Sequence, residues 1–295
     1  MSDAKQLEDG QFGSEMPEDS RNGAKHYEQA DFGDAEHDTA GLRKILTSKS
    51  ITDEQFERLF LSPRNVKASP LKGFANPTPL AIMGFSVGLT PLSAALLGWR
   101  GAGGAAQSSV GATIWFGGLL LWLAGLGEFI LGNTFPFLVF MGYGAHFLTF
   151  GTTFMPMFNA VSAYTSGNPY IGEMNQEQTA AFANSYGFYP LSLGILSFIF
   201  LLCSLRTNLI FFLIFVAATM GFGFATASFF YAGIGAMAQS SQFLVATGAC
   251  FWAAAMLGWY LLLAIMIPTM ELPFPELPVV DLASRVRAKE VKVKV

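Results

Sequence analysis

The feature that most constrains this chain is the stretch from 76 to 267, 192 residues that carry five charged side chains. They are Arg100, Glu128, Glu173, Glu177 and Arg206. A soluble domain of that size needs many more charges to cover its surface, whereas a bilayer interior penalises each ionised side chain by roughly 2.5 to 3.5 kcal/mol. The stretch therefore predicts a membrane-embedded domain between two polar tails, 1–75 and 268–295.

Six segments of this stretch have the length and composition of a helix that crosses a bilayer, which takes about 20 apolar residues. We predict them at 79–99, 110–131, 134–157, 187–206, 208–232 and 243–267. Strands of a membrane barrel would alternate polar and apolar residues, but 209–216 is apolar at every position. The predicted fold class is an all-α membrane protein with six transmembrane helices.

Basic residues in the short flanks of the helices predict the orientation, because such residues accumulate on the cytoplasmic side. They precede the first helix, lie between the fourth and fifth, and follow the sixth, at Arg64, Lys67, Lys72, Arg206, Arg285, Arg287, Lys289, Lys292 and Lys294. The loops on the other side contain one basic residue, Arg100. Six helices then place both the N-terminal and the C-terminal tail in the cytoplasm.

The N-terminal tail, 1–75, is expected to be largely disordered because it is rich in charged residues and poor in apolar ones. Its acidic beginning argues against a signal peptide. Near 52–61, Thr52 and Gln55 fit a capping box ahead of Phe56 and further apolar residues, which indicates a short amphipathic helix. That helix either lies against the membrane or belongs to a solvated tail.

The chain has no motif of a hydrolase or a nucleotide-driven pump, since P-loop, Gly-x-Ser-x-Gly and His-Glu-x-x-His patterns are missing. Cys203 and Cys250 both fall in predicted helices, so neither a disulfide framework nor a metal-ligand spacing arises. We therefore predict a protein that is not an enzyme, without metal or cofactor. Its expected partners are a small solute and the lipid bilayer, not nucleic acid.

Two ionisable residues inside the predicted helices are candidates for function. His146 shares a face of the third helix with Tyr143 and Phe150. It either lines a path as a proton or substrate relay, or is a buried neutral histidine bonded to a neighbouring helix. Glu128, near the cytoplasmic end of the second helix, either caps a helix or reaches the interface, or else acts in gating or accepts a proton.

The start of the first helix is marked by Asn76, as N-cap, and Pro77, at the first helical position. Free amides at a helix N-terminus attract anions, but Pro77 and Pro79 remove two of these donors. Any role of this stretch in binding therefore falls on the side chain of Asn76.

Three stretches resemble signatures of the acetate uptake transporter family. Asn76-Pro-Thr-Pro-Leu80 resembles the Asn-Pro-Ala-Pro-Leu that opens the family's first helix. Gly132-Asn-Thr-Phe135 followed by Tyr143-Gly-Ala-His-Phe147 is similar to its Gly-Asn-Thr-Phe and Ser-Tyr-Gly-x-Phe-Trp block. Gly258-Trp-Tyr260 is similar to the Ala-Trp-Tyr of fungal members. The family includes fungal acetate and ammonia exporters, glyoxylate-pathway regulators and a bacterial acetate/succinate permease.

The resemblance implies a six-helix bundle around a narrow path, assembled as a homo-hexamer, that moves acetate and related short carboxylates together with protons. It also implies an aromatic and aliphatic constriction at the middle of the path, formed by Phe85, Tyr143 and a third residue near Ala218 or Thr219. The residues that we predict along the substrate path are Asn76, Phe85, Glu128, Asn133, Thr134, Tyr143, His146, Ala218 and Thr219.

The chain departs from the family pattern beside this constriction. His146 stands where the family usually has Phe, Phe147 replaces Trp, and Gly142 replaces the Ser before Tyr143. These changes add polarity and space near the middle of the path. We predict that His146 contacts the carboxylate or a proton there.

The leading functional prediction is a plasma-membrane transporter of acetate and related acids such as propionate, lactate and succinate, coupled to protons. An apolar constriction with a few hydroxyl groups suits a small neutral acid, and no Lys or Arg inside the predicted helices can pair with a carboxylate. Two alternatives stay open. One is an ammonium or ammonia exporter, in which Glu128 contacts the cation, and the other is a regulatory membrane protein that senses a carboxylate and signals through its N-terminal tail.

Overall fold

The computed structural model describes residues 75–104, 107–165 and 173–282, all within one unit, Ile51–Val295. These residues form helices, turns and irregular connections, with one isolated β-bridge and no strand among them. The predicted all-α fold class is thus confirmed for the described part of the chain. The amphipathic helix predicted near 52–61 lies outside the described residues.

Six long helical segments follow one another along the described chain. They are α1 (Thr78–Leu96), α2 (Gln107–Leu131), α3 (Thr134–Thr153), α4 (Gln176–Ser204), α5 (Leu209–Gly233) and α6 (Met237–Thr269). Short 3₁₀ turns at Trp99–Gly101, Pro156–Phe158 and Ser162–Tyr164 interrupt the connections. Each predicted span thus corresponds to one observed helix.

Five of the helices, α1, α2, α4, α5 and α6, are long and apolar enough to cross a membrane. The 20-residue helix α3 is not among them. It is less apolar because it contains Pro136, His146 and four threonines. A sixth crossing by α3 therefore stays a prediction.

The predicted start of the fourth span, at 187, is wrong by eleven residues, because α4 begins at Gln176. A reciprocal capping box fixes this start. Asn175 Oδ1 accepts the backbone N–H of Gln178 at 2.9 Å, and the Asn175 N–H donates to Gln178 Oε1 at 3.0 Å. Hydropathy finds only the apolar part of a helix, so the polar first turns of α4 were missed. The same reasoning applies to α6, which begins six residues before the predicted 243.

The middle of α2 is a π-helical stretch, Thr113–Leu120, that packs closely against α1. A Cβ atom added to Gly88 of α1 would lie 2.9 Å from the Cα atom of Gly117 in this stretch. No side chain fits between the two backbones at that point. The Gly84-x-x-x-Gly88 pair therefore serves close helix packing.

The first and last described residues, 75 and 282, lie at the same end of the helix bundle, and we call it the proximal end. Thr78, the first residue of α1, donates to Glu128 near the end of α2, and Asn133, just before α3, donates to the same carboxyl group. The Leu209 N–H at the start of α5 donates to the carbonyl of Val280, which follows α6, at 2.8 Å. The starts of α1, α3 and α5 thus lie at the same end as the last turns of α2, α4 and α6.

Residues 270–282 after α6 run back along the proximal end, and we call them the C-terminal strap. The Leu282 N–H donates to the carbonyl of Thr207 in the turn between α4 and α5 at 2.9 Å. The Tyr260 hydroxyl on α6 donates to the carbonyl of Pro278 at 2.9 Å. This part of the predicted C-terminal tail, 268–295, is therefore attached to the bundle.

Candidate functional site

A small apolar cavity lies between the helices of the bundle. Side chains of α1, α2, α3 and α5, together with a glycine of α6, line it: Ala81, Ile82, Phe85, Leu121, Val139, Phe140, Tyr143, Phe211, Ile214, Phe215 and Gly258. None of these lining residues is charged. Both residues that the resemblance assigns to the constriction, Phe85 and Tyr143, therefore lie on one cavity.

Tyr143 is buried at this cavity, with 6 % of its surface exposed. Its ring stacks on Phe215 at 6.2 Å between centroids and on Phe222 at 6.4 Å, and it meets Phe200 edge-on at 5.8 Å. Its hydroxyl forms a 2.9 Å hydrogen bond with Ser197 Oγ of α4, which is fully buried. The ring is thus held on both faces, and its polar end is satisfied inside the protein.

Phe85 occupies the α1 side of the cavity and is partly buried. Its ring meets Phe147 of α3 edge-on, with 6.5 Å between centroids. Across from it, a Cβ atom added to Gly258 would lie 3.2 Å from Phe85 Cδ1. The absence of a side chain at Gly258 therefore leaves room for the Phe85 ring.

Helix α5 contributes Phe215 and Phe222 to the contacts of Tyr143, and sequence reasoning missed both. They lie three residues before and four residues after Ala218, so the three positions share one face of α5. Ala218 is buried on this face, whereas Thr219 Oγ1 donates to the carbonyl of Phe215 in its own helix at 2.7 Å. The recurrence of Phe at this helical spacing was the signal that could have identified the pair.

His146 lies further along α3 than Tyr143 and is half-buried. Its Nδ1 atom and the Tyr189 hydroxyl of α4 form a hydrogen bond of 3.0 Å. Its ring meets Phe222 edge-on at 5.1 Å and lies 6.0 Å from Phe150. His146 and Tyr143 therefore both pack on Phe222, and His146 bonds to another helix as one of its two predicted roles requires.

A second group of predicted residues lies at the proximal end and forms a buried polar cluster. Thr78 Oγ1 donates to Glu128 Oε1 at 2.5 Å, and Asn133 Nδ2 donates to Glu128 Oε2 at 2.7 Å. Glu128 is 1 % exposed. Its carboxyl group therefore joins the beginnings of α1 and α3 to the end of α2, and each of its oxygens has a partner.

Asn76 is adjacent to this cluster but stands one residue further from the helix than predicted. Helix α1 begins at Thr78, so Pro77 occupies the capping position, yet Asn76 Oδ1 still accepts the Thr78 N–H at 3.0 Å. Thr78 thus bonds to Asn76 through its backbone and to Glu128 through its side chain. Thr134, also predicted along the path, is the exposed first residue of α3.

The structure therefore brings most of the predicted residues together in two groups. Phe85 and Tyr143 lie on the apolar cavity, and Asn76, Glu128 and Asn133 lie at the proximal end. Such a cavity suits a small neutral solute, because an ion would lose its hydration there without a charged partner. In the described part of the chain, no group of three or more His, Cys, Asp or Glu residues could hold a metal ion.

The long apolar helices define the class of this molecule as a multi-pass membrane protein. Within that class, the chain belongs to the GPR1/FUN34/yaaH family, whose profile matches residues 60–283. The match confirms the resemblance that the sequence motifs indicate.

Three named relatives are fungal. Protein alcS of Aspergillus fumigatus is 40 % identical over 267 residues, which are 90 % of this chain and 97 % of the relative. Acetate permease A of Emericella nidulans is 30 % identical over 54 % of this chain and 51 % of its own length. Ammonia transport outward protein 2 of Saccharomyces cerevisiae is 29 % identical over 59 % of this chain and 58 % of its own.

Among solved structures, the bacterial acetate channel SatP is similar to this chain, with a TM-score of 0.52. The alignment covers 70 % of this chain and 99 % of the channel at 22 % sequence identity. At that identity the likeness concerns the fold alone. It agrees with the helical arrangement described above.

Proposed function

We propose that this protein transports acetate and related short carboxylates, such as propionate, lactate and succinate, across the plasma membrane. The observation that carries the proposal is the uncharged cavity that Phe85 and Tyr143 both line, since it is apolar and five of the six helices contribute to it. A relative named acetate permease supports the substrate class.

The proposed form of the substrate is the acid together with its proton. An acetate ion in an uncharged cavity would lose most of its hydration energy without a compensating cation. The only Lys or Arg residues between 76 and 267 are Arg100 and Arg206, and neither lies in one of the six long helices. Uptake should therefore depend on a proton gradient.

The proposed topology has six crossings, with α3 as the third, and both termini in the cytoplasm. Residue 75 and the C-terminal strap lie at the same end of the bundle, which supports an even number of crossings. Because basic residues flank this end in the sequence, we assign it to the cytoplasm. Assembly as a homo-hexamer rests on the family resemblance.

Within this proposal, the predicted residues take separate roles along the path. Phe85, Tyr143 and the α5 face around Ala218 form the constriction, and His146 contacts the solute beyond it. Asn76 holds an amide at the cytoplasmic mouth. Glu128 and Asn133 position the helices that form this mouth.

The proposal can be tested in liposomes that contain the purified protein, by measuring uptake of labelled acetate, lactate and succinate with and without a pH gradient. We expect gradient-dependent uptake of acetate. Tyr143→Ala should remove the ring that narrows the cavity and reduce the discrimination between acetate and the larger acids. Tyr143→Phe is the matched control, because it keeps the ring and should keep the discrimination. Equal acetate uptake by protein-containing and empty liposomes would contradict the proposal.

Export of ammonium or ammonia is the second candidate, and the name of one relative favours it. Its cation contact would be Glu128, but this residue is only 1 % exposed and each of its carboxyl oxygens already accepts a hydrogen bond. We therefore expect acetate uptake to exceed methylammonium uptake in the same liposomes. The reverse order would favour the second candidate.

A further inference from the structure

The imidazole of His146 uses only one of its two nitrogens within the described protein. Nδ1 is hydrogen-bonded to the Tyr189 hydroxyl at 3.0 Å, whereas no described residue hydrogen-bonds Nε2. His146 is partly exposed as a residue, so the protein does not enclose it completely. The rings around it belong to Phe147, Phe150, Tyr189 and Phe222.

This histidine lies next to the proposed constriction. Phe222 meets the His146 ring edge-on at 5.1 Å and stacks on the Tyr143 ring at 6.4 Å. Since α3 starts at the proximal end, His146 is about one turn further from that end than Tyr143. A solute that passes Tyr143 would meet His146 next.

The hydrogen bond at Nδ1 determines whether Nε2 is a hydrogen-bond donor or an acceptor. A neutral imidazole has one N–H donor and one acceptor nitrogen. A phenol is a far stronger acid than a neutral imidazole N–H, and the imidazole lone pair is the stronger base of the two. On these acidities we assign the donor role to the Tyr189 hydroxyl and the acceptor role to Nδ1, which leaves the hydrogen of the ring on Nε2.

We propose that Tyr189 is a positioning residue that fixes His146 as an Nε2–H donor toward a carboxyl oxygen of the solute. The inference rests on the proposed function and adds a residue that selects the solute class. A carboxyl group offers oxygen acceptors to this donor, whereas an ammonium ion carries only N–H groups and finds no acceptor there.

Two amide variants of His146 test the position of the donor. His146→Gln places a side-chain amide near the former Nε2, and His146→Asn places one near the former Nδ1. We expect the KM for acetate to stay within about threefold of the unmodified value for His146→Gln. For His146→Asn it should rise about tenfold, the effect of losing one hydrogen bond of roughly 1.4 kcal/mol. Equal KM values for the two variants would overturn the proposal.

Tyr189→Phe tests whether the tyrosine acts through the histidine. We expect the KM for acetate to rise about three- to tenfold, and the ratio of methylammonium to acetate uptake to rise with it. In a His146→Phe background the same substitution should change neither quantity, because the two residues act as one unit. The same effect of Tyr189→Phe with and without His146 would overturn the assignment.

Acetate-dependent thermal stabilisation of the purified, full-length variants gives a readout that does not need transport. Acetate should stabilise the unmodified protein and His146→Gln, and it should stabilise Tyr189→Phe less.

If the unmodified protein moves no acetate, the proposed function fails and the inference fails with it. If it moves acetate while all four variants match it, only the role of Tyr189 and His146 is overturned.

Discussion

The proximal polar cluster and the His146–Tyr189 pair are both buried polar groups between helices, but they differ in how completely they are satisfied. Glu128 has a hydrogen-bond donor on each oxygen, from Thr78 and from Asn133. His146 has one nitrogen bonded to Tyr189 and one without a partner among the described residues. In the first group each carboxyl oxygen accepts a hydrogen bond, whereas in the second group one imidazole nitrogen has no described partner.

This difference separates structural from binding roles better than residue type does. A carboxylate inside a membrane domain is by default a functional candidate. The hydrogen bonds from Thr78 and Asn133 to Glu128 instead indicate that its carboxyl group joins three helices. Nε2 of His146, without a partner among the described residues, is the position that we propose for the solute. Substitutions in the proximal cluster should therefore affect folding first, and substitutions at the pair should affect transport first.

The largest expected effect is that of Glu128→Ala, which removes the group that both Thr78 and Asn133 donate to. Leaving these donors without a partner should lower the free energy of unfolding by about 2 to 4 kcal/mol. The measurement is the thermal unfolding midpoint of the detergent-solubilised protein, together with the yield of folded material.

Glu128→Gln is the matched control for this prediction. The glutamine oxygen can accept from Asn133, and its amide can donate to Thr78 Oγ1, so most of the stability should remain. If Glu128→Ala folds normally but loses transport, Glu128 belongs with the binding group and the distinction between the two regions is lost.

An intermediate effect is expected for Asn76→Ala at the edge of the cluster. The substitution removes the acceptor for the Thr78 N–H and should cost about 1 kcal/mol of stability. If Asn76 also holds an amide at the mouth of the path, the initial rate of acetate uptake should fall by a larger factor than the yield. A fall in yield alone would make Asn76 purely structural. Asn76→Asp keeps the acceptor and serves as the control for stability.

The smallest effect is expected for Tyr260→Phe, which removes the hydrogen bond from α6 to the C-terminal strap at Pro278. This bond is exposed, so the global stability should change by no more than about 0.5 kcal/mol. Hydrogen exchange of the backbone amides in 279–282 should become faster, while acetate uptake stays unchanged. A large loss of uptake would show that the proximal end contributes to transport beyond its polar cluster.

The sequence predicted the helices and two of the cavity residues for identifiable physical reasons. Hydrophobic length marks a membrane helix without any knowledge of its neighbours, so all six segments were found. Phe85 and Tyr143 were found through family motifs. Helix starts outside the apolar region, such as Gln176, depend on local capping and were misplaced.

The missed residues belong to contacts between distant parts of the chain. Ser197 is 54 residues from its partner Tyr143, and Tyr189 is 43 residues from His146. No local rule pairs a hydroxyl with a ring at such separations. The role of Thr78 was missed for another reason. It was interpreted only as part of a helix start, so its hydrogen bond to Glu128 was not predicted.

The attachment of the C-terminal strap also limits where a probe on the tail can travel. Leu282 is hydrogen-bonded to Thr207, so the tail is anchored at the turn between α4 and α5 and not at the end of α6. The 13 residues from 283 to 295 span at most about 45 Å when fully extended. A fluorophore coupled at residue 295 therefore lies within that distance of the turn between α4 and α5.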